Sequence, residues 1–295
     1  MTEFLEISFD LGCLPPEHAE RACLDCGANA ITFADARDEP VLEPAPGEVR
    51  LWPTTRLQAL FAPGTQPTAT VAALSRSLRI PVEQLQARLI ADRPWEREWL
   101  RDFHAMRFGR RLWICPHHER VEDPEAVVVH MDPGLAFGTG THPTTALCLK
   151  WLDAHPPAGE VIDYGCGSGV LALAAAKLGA RHVHCFDIDE QALIATRDNT
   201  LRNGLETSIR LCESPEMLPR ADVLLANILS APLVTLAPRF ASLVRTAGAV
   251  VVSGLMEHQA PEVTGAYSQW FDLSAFGTRD GWVALSGRRN DRPAG

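Results

Sequence analysis

The stretch VIDYGCGSG joins an acidic residue to three closely spaced glycines. Asp163 ends an apolar strand candidate, and Gly165, Gly167 and Gly169 form a turn into a helix rich in alanine and leucine. Glycines are needed at such a turn when a ligand lies against the backbone, where a Cβ atom would collide. The dinucleotide fingerprint G-x-G-x-x-G places its third glycine where this chain has Val170. The spacing therefore predicts a ligand without a pyrophosphate and disfavours a dehydrogenase.

Two carboxylates follow the next strand candidate, HVHCFDID. Asp187 closes that strand, at the distance from Gly165 where a carboxylate can accept hydrogen bonds from both hydroxyls of a ribose. Asp189 is the alternative, but it is also placed to cap the following helix. Asp187 is favoured because it lies nearer the carboxyl edge of the strand, where open α/β sheets bind ligands.

A further polar residue, Asn227, ends the apolar strand candidate in ADVLLANIL. Parallel strands would deliver it to the same edge of the sheet as Asp163 and Asp187, which predicts a polar group at a ligand crevice. The alternative is that Asn227 caps the helix after it, and the two roles are compatible.

These residues need a parallel sheet to position them. From about residue 121, five strand candidates alternate with loops and helical stretches, which predicts a doubly wound α/β fold. They are VIDYG, HVHCFDID, IRLCE, ADVLLANIL and GAVVVSG. FDLSAFG and GWVALSG follow closely on one another and predict an antiparallel hairpin at the end.

The first 92 residues show a different order of elements, β-α-β-β-α-β, which is that of a ferredoxin-like domain. The strand candidates are FLEISFD, AITFAD, VRLWP and VEQLQARLI. One helix is predicted by the spacing of Ala19, Ala22, Cys23 and Cys26, with Gly27 as its stop, and a second over residues 68–79. Cys23 and Cys26 form a C-x-x-C that we interpret as core or half-buried residues.

Residues 93–120 are predicted to be a linker helix and connector. They are rich in arginine, and Trp95, Trp99, Phe103 and Met106 recur at helical spacing. The alternative is a basic and aromatic surface for RNA. His117 and His118 beside Cys115 suggest a metal, but no second cluster of suitable spacing accompanies them, so a surface turn is favoured and no metal is predicted.

Composition restricts the class of protein. A formal net charge of −10 argues against a general nucleic-acid binder and is compatible with a basic protein partner. No apolar run is long enough for a membrane span, and MTEFLEISFD lacks a signal-peptide pattern. Eight scattered cysteines without a disulfide framework suit a reducing cytosol, so we expect a cytoplasmic protein.

The glycine motif, the acid after the second strand, ANIL and the terminal hairpin resemble class I S-adenosylmethionine-dependent methyltransferases. WEREWLRDFHAMRFGRRLWICP and DPGLAFGTGTHPTT narrow the resemblance to the bacterial ribosomal protein L-eleven methyltransferase family, PrmA, over nearly the whole chain. The resemblance implies a Rossmann-like, seven-stranded methyltransferase domain over residues 121–295. It also implies that the ferredoxin-like domain over 1–92 recognises the substrate.

Site residues carry over from the family by motif. Thr145, Gly165, Asp187 and Asn227 are implied to bind S-adenosyl-L-methionine, and Asn227 is implied to act in catalysis. Many amine-directed methyltransferases have Pro-Pro and an aromatic residue after this asparagine, whereas this chain has Ile228 and another aliphatic residue.

The segment MDPGLAFGTGTHPTT lacks the lysine of a phosphate-binding P-loop. Pro143 is predicted to begin a helix with Thr145 in its first turn, where an N–H group or the hydroxyl could hold the cofactor's carboxylate. His142 is a possible general base, or a residue that caps or packs.

The implied activity is transfer of methyl groups from S-adenosylmethionine to lysine side chains and the N-terminal α-amine of ribosomal protein L-eleven. The implied enzyme is a monomer that needs no nucleic acid and no membrane. Two alternatives stay open: a ribosome-associated RNA-binding accessory with an inactive methyltransferase fold, and a methyltransferase acting on another protein or on RNA.

Overall fold

A computed structural model describes residues 3–37, 51–91, 104–131 and 140–290. The chain divides into two compact units, residues 1–95 and 96–295. Each unit has its own hydrophobic core. Within the described ranges, no helix is long and apolar enough to cross a membrane.

The first unit is a four-stranded antiparallel sheet with two helices. Its strands are β1 (Glu3–Asp10), β2 (Ala28–Asp35), β3 (Thr55–Phe61) and β4 (Gln86–Ala91), in the order β2-β3-β1-β4. The helices are α1 (Pro16–Asp25) and α2 (Pro67–Leu78), and a 3₁₀ turn spans Val82–Gln84. One face of the sheet, with Leu5, Ile7 and Phe9, packs against buried residues of the helices such as Cys23 and Leu74. The predicted ferredoxin-like domain is confirmed.

The third strand of this unit does not lie where the sequence predicted it. VRLWP was expected to be a strand, but Leu51 to Pro53 lie outside any strand, and β3 starts at Thr55. Every second residue of β3 is buried, and its Leu57 pairs with Phe9 of β1. A proline cannot donate to a sheet ladder, so Pro53 precedes the strand rather than joining it.

The second unit contains a seven-stranded sheet in the order β10-β9-β8-β11-β12-β14-β13. Its strands are β8 (Glu160–Tyr164), β9 (His182–Phe186), β10 (Ile209–Cys212), β11 (Ala221–Asn227), β12 (Val244–Met256), β13 (Ser274–Arg279) and β14 (Trp282–Arg288). The first five strands in this order run parallel, and β14 is antiparallel to both β12 and β13. The predicted doubly wound sheet and terminal hairpin are confirmed.

Helices cover both faces of this sheet, each with its own apolar core. They are α3 (Pro143–Ala154), α4 (Val170–Lys177), α5 (Glu190–Asn203), α6 (Ser230–Leu243) and α7 (Ala260–Tyr267), with 3₁₀ turns at Pro215–Met217 and Glu257–Gln259. Leu149 and Leu171 belong to one core, and Phe240 and Tyr267 belong to the other. Because both faces are covered, the ends of the parallel strands are where polar side chains reach solvent and ligands.

A small three-stranded sheet precedes α3 and was not predicted. It contains β5 (Met106–Phe108), β6 (Leu112–Cys115) and β7 (Val127–His130). The linker expected to be helical over 93–120 is therefore, from residue 104 on, an antiparallel hairpin followed by a loop. Its earlier part, with Trp95, Trp99 and Phe103, lies outside the described residues. The carboxylate of Asp153 in α3 accepts hydrogen bonds from three consecutive N–H groups of the hairpin turn, a long-range contact that local periodicity does not reveal.

Candidate active site

The glycine turn after β8 has a backbone conformation that requires glycine, which is a different reason for these glycines from the one that the sequence suggested, a ligand lying against the backbone. Gly165, Gly167 and Gly169 have φ angles of +76°, +55° and +80°, which favour glycine. A Cβ atom on Gly165 would lie 2.4 Å from Cγ2 of Ile228. The Gly165 N–H donates to the carbonyl of Phe186 at 2.8 Å, which holds the turn against the end of β9.

The two candidate carboxylates after β9 do different things. The Asp187 carboxylate accepts hydrogen bonds from the N–H of Gly167 at 2.9 Å and from the N–H of Asp189 at 3.0 Å. Asp189 is the N-cap of α5 and accepts from the N–H of Gln191 at 2.9 Å. Asp189 therefore caps α5, as the alternative interpretation of the sequence proposed. Asp187 is the carboxylate that bonds to the glycine turn.

A cleft of about 650 Å³ opens beside Asp187. Ile188, whose side chain is 93% exposed, contributes an apolar wall to it. The cleft is lined by Phe186, Asp187, Ile188, Glu190, Leu193, Ile194, Arg197, Glu213 and Pro215. A carboxylate at one end and aliphatic side chains along the wall suit a nucleoside, with hydroxyls at the acid and a flat base against the apolar residues.

Asn227 and Thr145 meet at the same edge of the sheet, although 82 residues separate them in the chain. The Nδ2 atom of Asn227 donates to Oγ1 of Thr145 at 3.1 Å. Thr145 is buried in the first turn of α3, and Asn227 is half-buried at the end of β11. Helix α6 begins at Ser230 with Leu229 as its N-cap, so the alternative of Asn227 as that cap is wrong.

His142 occupies the N-cap position of α3. Its Nδ1 atom lies 2.7 Å from Oγ1 of Thr144 and also accepts from the N–H of Thr144. Burial lowers the pKa of the His142 imidazole below its ordinary value. The ring packs edge-on against Trp282 of β14, with 5.0 Å between ring centroids. Sequence reasoning missed this aromatic side chain, because the contact joins residues 140 positions apart.

Asp163 lies at the end of β8 and is almost completely buried. Its Oδ2 atom accepts from the N–H of Ala172 at 3.0 Å, while Oδ1 has no hydrogen-bond partner among the described residues. Burial, and to a lesser extent the charge of Asp187, raises the pKa of Asp163 to about 7. A cationic group bound nearby would favour its ionised form.

The cysteine and histidine motifs supply none of the residues that line the cleft beside Asp187. Cys23 is buried and Cys26 half-buried in the first unit, as predicted. Cys115 is buried, its thiol donates to the carbonyl of Pro116, and burial raises its pKa. In the ranges that the structure covers, no three His, Cys, Asp or Glu side chains are arranged to hold a metal ion.

Comparison with known proteins places these features in a family. The family model described as ribosomal protein L11 methyltransferase (PrmA) matches residues 3–290. A ribosomal protein L11 methyltransferase from Pseudomonas aeruginosa (strain LESB58) is 50% identical over 282 residues, covering 94% of this chain and 96% of that protein. Its counterpart from Pseudomonas fluorescens (strain Pf-5) is 48% identical over 94% of this chain and 97% of that protein.

Among solved structures, the chain resembles a crystal structure of ribosomal protein L11 methylase from Lactobacillus delbrueckii subsp. bulgaricus. The TM-score is 0.59 at 31% identity, covering 64% of this chain and 100% of that one. The sequence match spans both units, and the glycine turn, Asp187 and Asn227 lie in the matched residues. The chain belongs to the ribosomal protein L11 methyltransferase (PrmA) family.

Proposed function

We propose that this chain is an S-adenosylmethionine-dependent methyltransferase that modifies amino groups of ribosomal protein L11, namely lysine side chains and the N-terminal α-amine. The observation that carries the proposal is the meeting of the glycine turn, Asp187 and the Asn227–Thr145 pair at one edge of the sheet. Family membership adds the class of substrate.

The residues at this edge fit S-adenosylmethionine. Asp187 would accept hydrogen bonds from the ribose hydroxyls, and it lies against the glycine turn, since its carboxylate already accepts from the N–H of Gly167. The base would lie along Ile188 in the cleft. Thr145, at the N-terminus of α3, would hold the carboxylate of the cofactor, because the first N–H groups of a helix attract anions.

The cofactor supplies an activated methyl group, so the protein contributes mainly orientation and electrostatics. A lysine amine has an ordinary pKa of about 10.4 and must lose a proton before it can attack. Apolar surroundings lower that pKa by desolvation. Asn227 donates its Nδ2–H to Thr145, so its carboxamide oxygen is left to accept a hydrogen from the amine and aim the lone pair.

We assign substrate recognition to the first unit, which contains the ferredoxin-like domain predicted over residues 1–92. The face of its sheet opposite the helices carries an open groove lined by half-buried and exposed side chains that include Phe4, Gln58, Leu60 and Ile90. A net charge of −10 favours a basic partner such as a ribosomal protein. The enzyme is proposed to act as a cytoplasmic monomer without a nucleic-acid requirement.

A methyl-transfer assay on intact large ribosomal subunits distinguishes the proposed protein substrate from an RNA substrate and from an inactive accessory protein. Subunits lacking the modification are incubated with the enzyme and S-adenosylmethionine carrying a labelled methyl group, and protein and rRNA are then separated. The proposal predicts label in the protein fraction. Label in rRNA alone would overturn the protein-substrate assignment. Calorimetry that found no cofactor binding would favour the inactive accessory.

A further inference from the structure

The buried face of helix α5 carries several polar side chains. Thr196, Asn199 and Asn203 follow helical spacing and are 0%, 6% and 9% exposed. Buried polar groups are costly unless hydrogen-bonded, and a helix of this kind would ordinarily bury apolar residues there. Each of the three side chains is bonded to the backbone of another segment, and two of these bonds go to the glycine turn.

Two of these side chains hold the glycine turn. Oγ1 of Thr196 donates to the carbonyl of Gly167 at 3.0 Å, and Nδ2 of Asn199 donates to the carbonyl of Ser168 at 2.9 Å. Because a peptide group is planar, fixing two consecutive carbonyls also fixes the directions of the N–H groups that follow them. The helix lies so close that a Cβ atom on Gly169 would be 2.8 Å from Cγ2 of Thr196.

The third side chain holds the end of β7. Oδ1 of Asn203 accepts from the N–H of His130 at 2.9 Å, and its Nδ2 donates to the carbonyl of His130 at 2.7 Å. His130 is the last residue of β7. Helix α5 therefore bonds both to the glycine turn and to β7.

We propose that Thr196 and Asn199 are positioning residues that preorganise the cofactor site, while Asn203 anchors their helix to β7. Thr196 and Asn199 hold the glycine turn in place before the ligand arrives, which reduces the ordering cost of binding. The inference rests on the proposed function, since it takes the glycine turn as the S-adenosylmethionine site. Their loss should weaken cofactor affinity more than it slows methyl transfer at saturation.

Two threonines on α5 provide a matched comparison. Thr200 is buried to a similar extent, but its hydroxyl donates to the carbonyl of Thr196 within the same helix, at 2.7 Å. Thr196→Val and Thr200→Val therefore each remove one buried hydroxyl from the same helix, and that of Thr196 also lies 3.4 Å from Sγ of Cys166 in the glycine turn. Only Thr196→Val removes a hydrogen bond to the glycine turn, and Thr196→Ser keeps that hydrogen bond.

The test is calorimetric titration of the full chain with S-adenosylhomocysteine, together with thermal unfolding without ligand and initial rates with protein substrate. Thr196→Val should raise the Kd about fivefold or more, as expected for one lost hydrogen bond, and raise the cofactor KM in parallel with little change in kcat. Thr196→Ser and Thr200→Val should bind S-adenosylhomocysteine with a Kd within about twofold of that of the unaltered enzyme, because both keep the hydrogen bond to the carbonyl of Gly167.

Equal Kd values for Thr196→Val and Thr200→Val would overturn the inference, whatever their effects on thermal stability. If Thr196→Val does not fold, Asn199→Ala tests the bond to the carbonyl of Ser168 on the same terms. An unaltered enzyme that fails to bind S-adenosylhomocysteine would refute the proposed function itself. Binding by that enzyme with no difference among the variants refutes only the positioning role.

Discussion

At Asn227 one hydrogen bond supports the orientation that we propose for the carboxamide in catalysis. Nδ2 is engaged with Thr145, so the oxygen is the acceptor that can orient an amine. We predict that Asn227→Ala lowers kcat by about 100-fold, since misplacing a reacting group by about 1 Å costs roughly that factor. Initial rates at saturating cofactor and protein substrate measure it. Full turnover at saturation, with only the Michaelis constants raised, would limit Asn227 to binding.

The raised pKa of Asp163 predicts an unusual pH dependence of the free energy of unfolding. An aspartate in the unfolded chain ionises near pH 4, whereas burial raises the pKa of Asp163 to about 7 in the folded protein. Between these values the folded protein holds a proton that the unfolded chain has lost. Raising the pH therefore lowers the free energy of unfolding, and this loss is complete above about pH 7.

The Asp163→Asn variant cannot ionise and retains an oxygen that can accept from the N–H of Ala172. Its free energy of unfolding should exceed that of the unaltered protein at pH 8, by on the order of a few kcal/mol, and the difference should shrink towards pH 5. Urea unfolding at several pH values measures this. Parallel pH profiles for the two proteins would show that Asp163 does not titrate as stated.

Some site residues could be predicted from the sequence because they end apolar strands. Asp187 and Asn227 were proposed on that basis and Gly165 from the spacing of the glycines, and the structure brings them to one edge of the sheet. The ring contact between His142 and Trp282 could not be predicted, since it depends on how α3 packs beside the terminal hairpin. Their chemical roles stay predictions until the variants are measured.

At the scale of elements, the start of α5 gives different roles to Asp187 and Asp189, which are two residues apart in the sequence. Asp189 caps the helix, and Asp187 bonds to the glycine turn. Asp189→Ala should lower the free energy of unfolding by about 1 kcal/mol, as for loss of an N-cap, and leave cofactor affinity nearly unchanged. Asp187→Ala should weaken cofactor binding at least about tenfold, because it removes the carboxylate that we propose accepts hydrogen bonds from the cofactor's ribose.

Chemical denaturation and calorimetry on the two variants measure both quantities. Comparable losses of affinity in Asp187→Ala and Asp189→Ala would contradict the division of roles. So would an unchanged affinity in Asp187→Ala, since no other carboxylate has been assigned to the ribose.

The strands of the seven-stranded sheet were predicted, whereas the three strands that precede α3 were not. The central strands β11 and β12 contain the apolar runs VLLA and AVVV, whose residues are largely buried. The strands β5, β6 and β7 have three or four residues each, too few for a periodic signal. Their turn is held by Asp153, about 40 positions further along the chain.

At the scale of the whole molecule, we propose separate functions for the two units, and surface mutations in the first unit can test this division. Leu60 lines the open face of the first unit's sheet, whereas Leu24 is an exposed residue of α1 on the helical side. Leu60→Arg should raise the KM for protein substrate severalfold, because it places a cation where a basic partner is proposed to dock. Leu24→Arg, with the same change of charge, should have little effect.

Steady-state kinetics with protein substrate, and calorimetry with cofactor, follow both variants. Cofactor affinity should be unchanged in each, since the cofactor residues belong to the second unit. Equal KM values for Leu60→Arg and Leu24→Arg would show that this sheet face is not the docking surface.

The most direct test of the account is mass spectrometry of purified, unmodified ribosomal protein L11 after incubation with this enzyme and S-adenosylmethionine. Fragmentation locates each added methyl group. The account predicts methyl groups on lysine side chains and the α-amine, and a large loss of them with Asn227→Ala. An L11 chain that stays unmodified with a cofactor-bound, folded enzyme, or that carries methyl groups on atoms other than amine nitrogens, would contradict it.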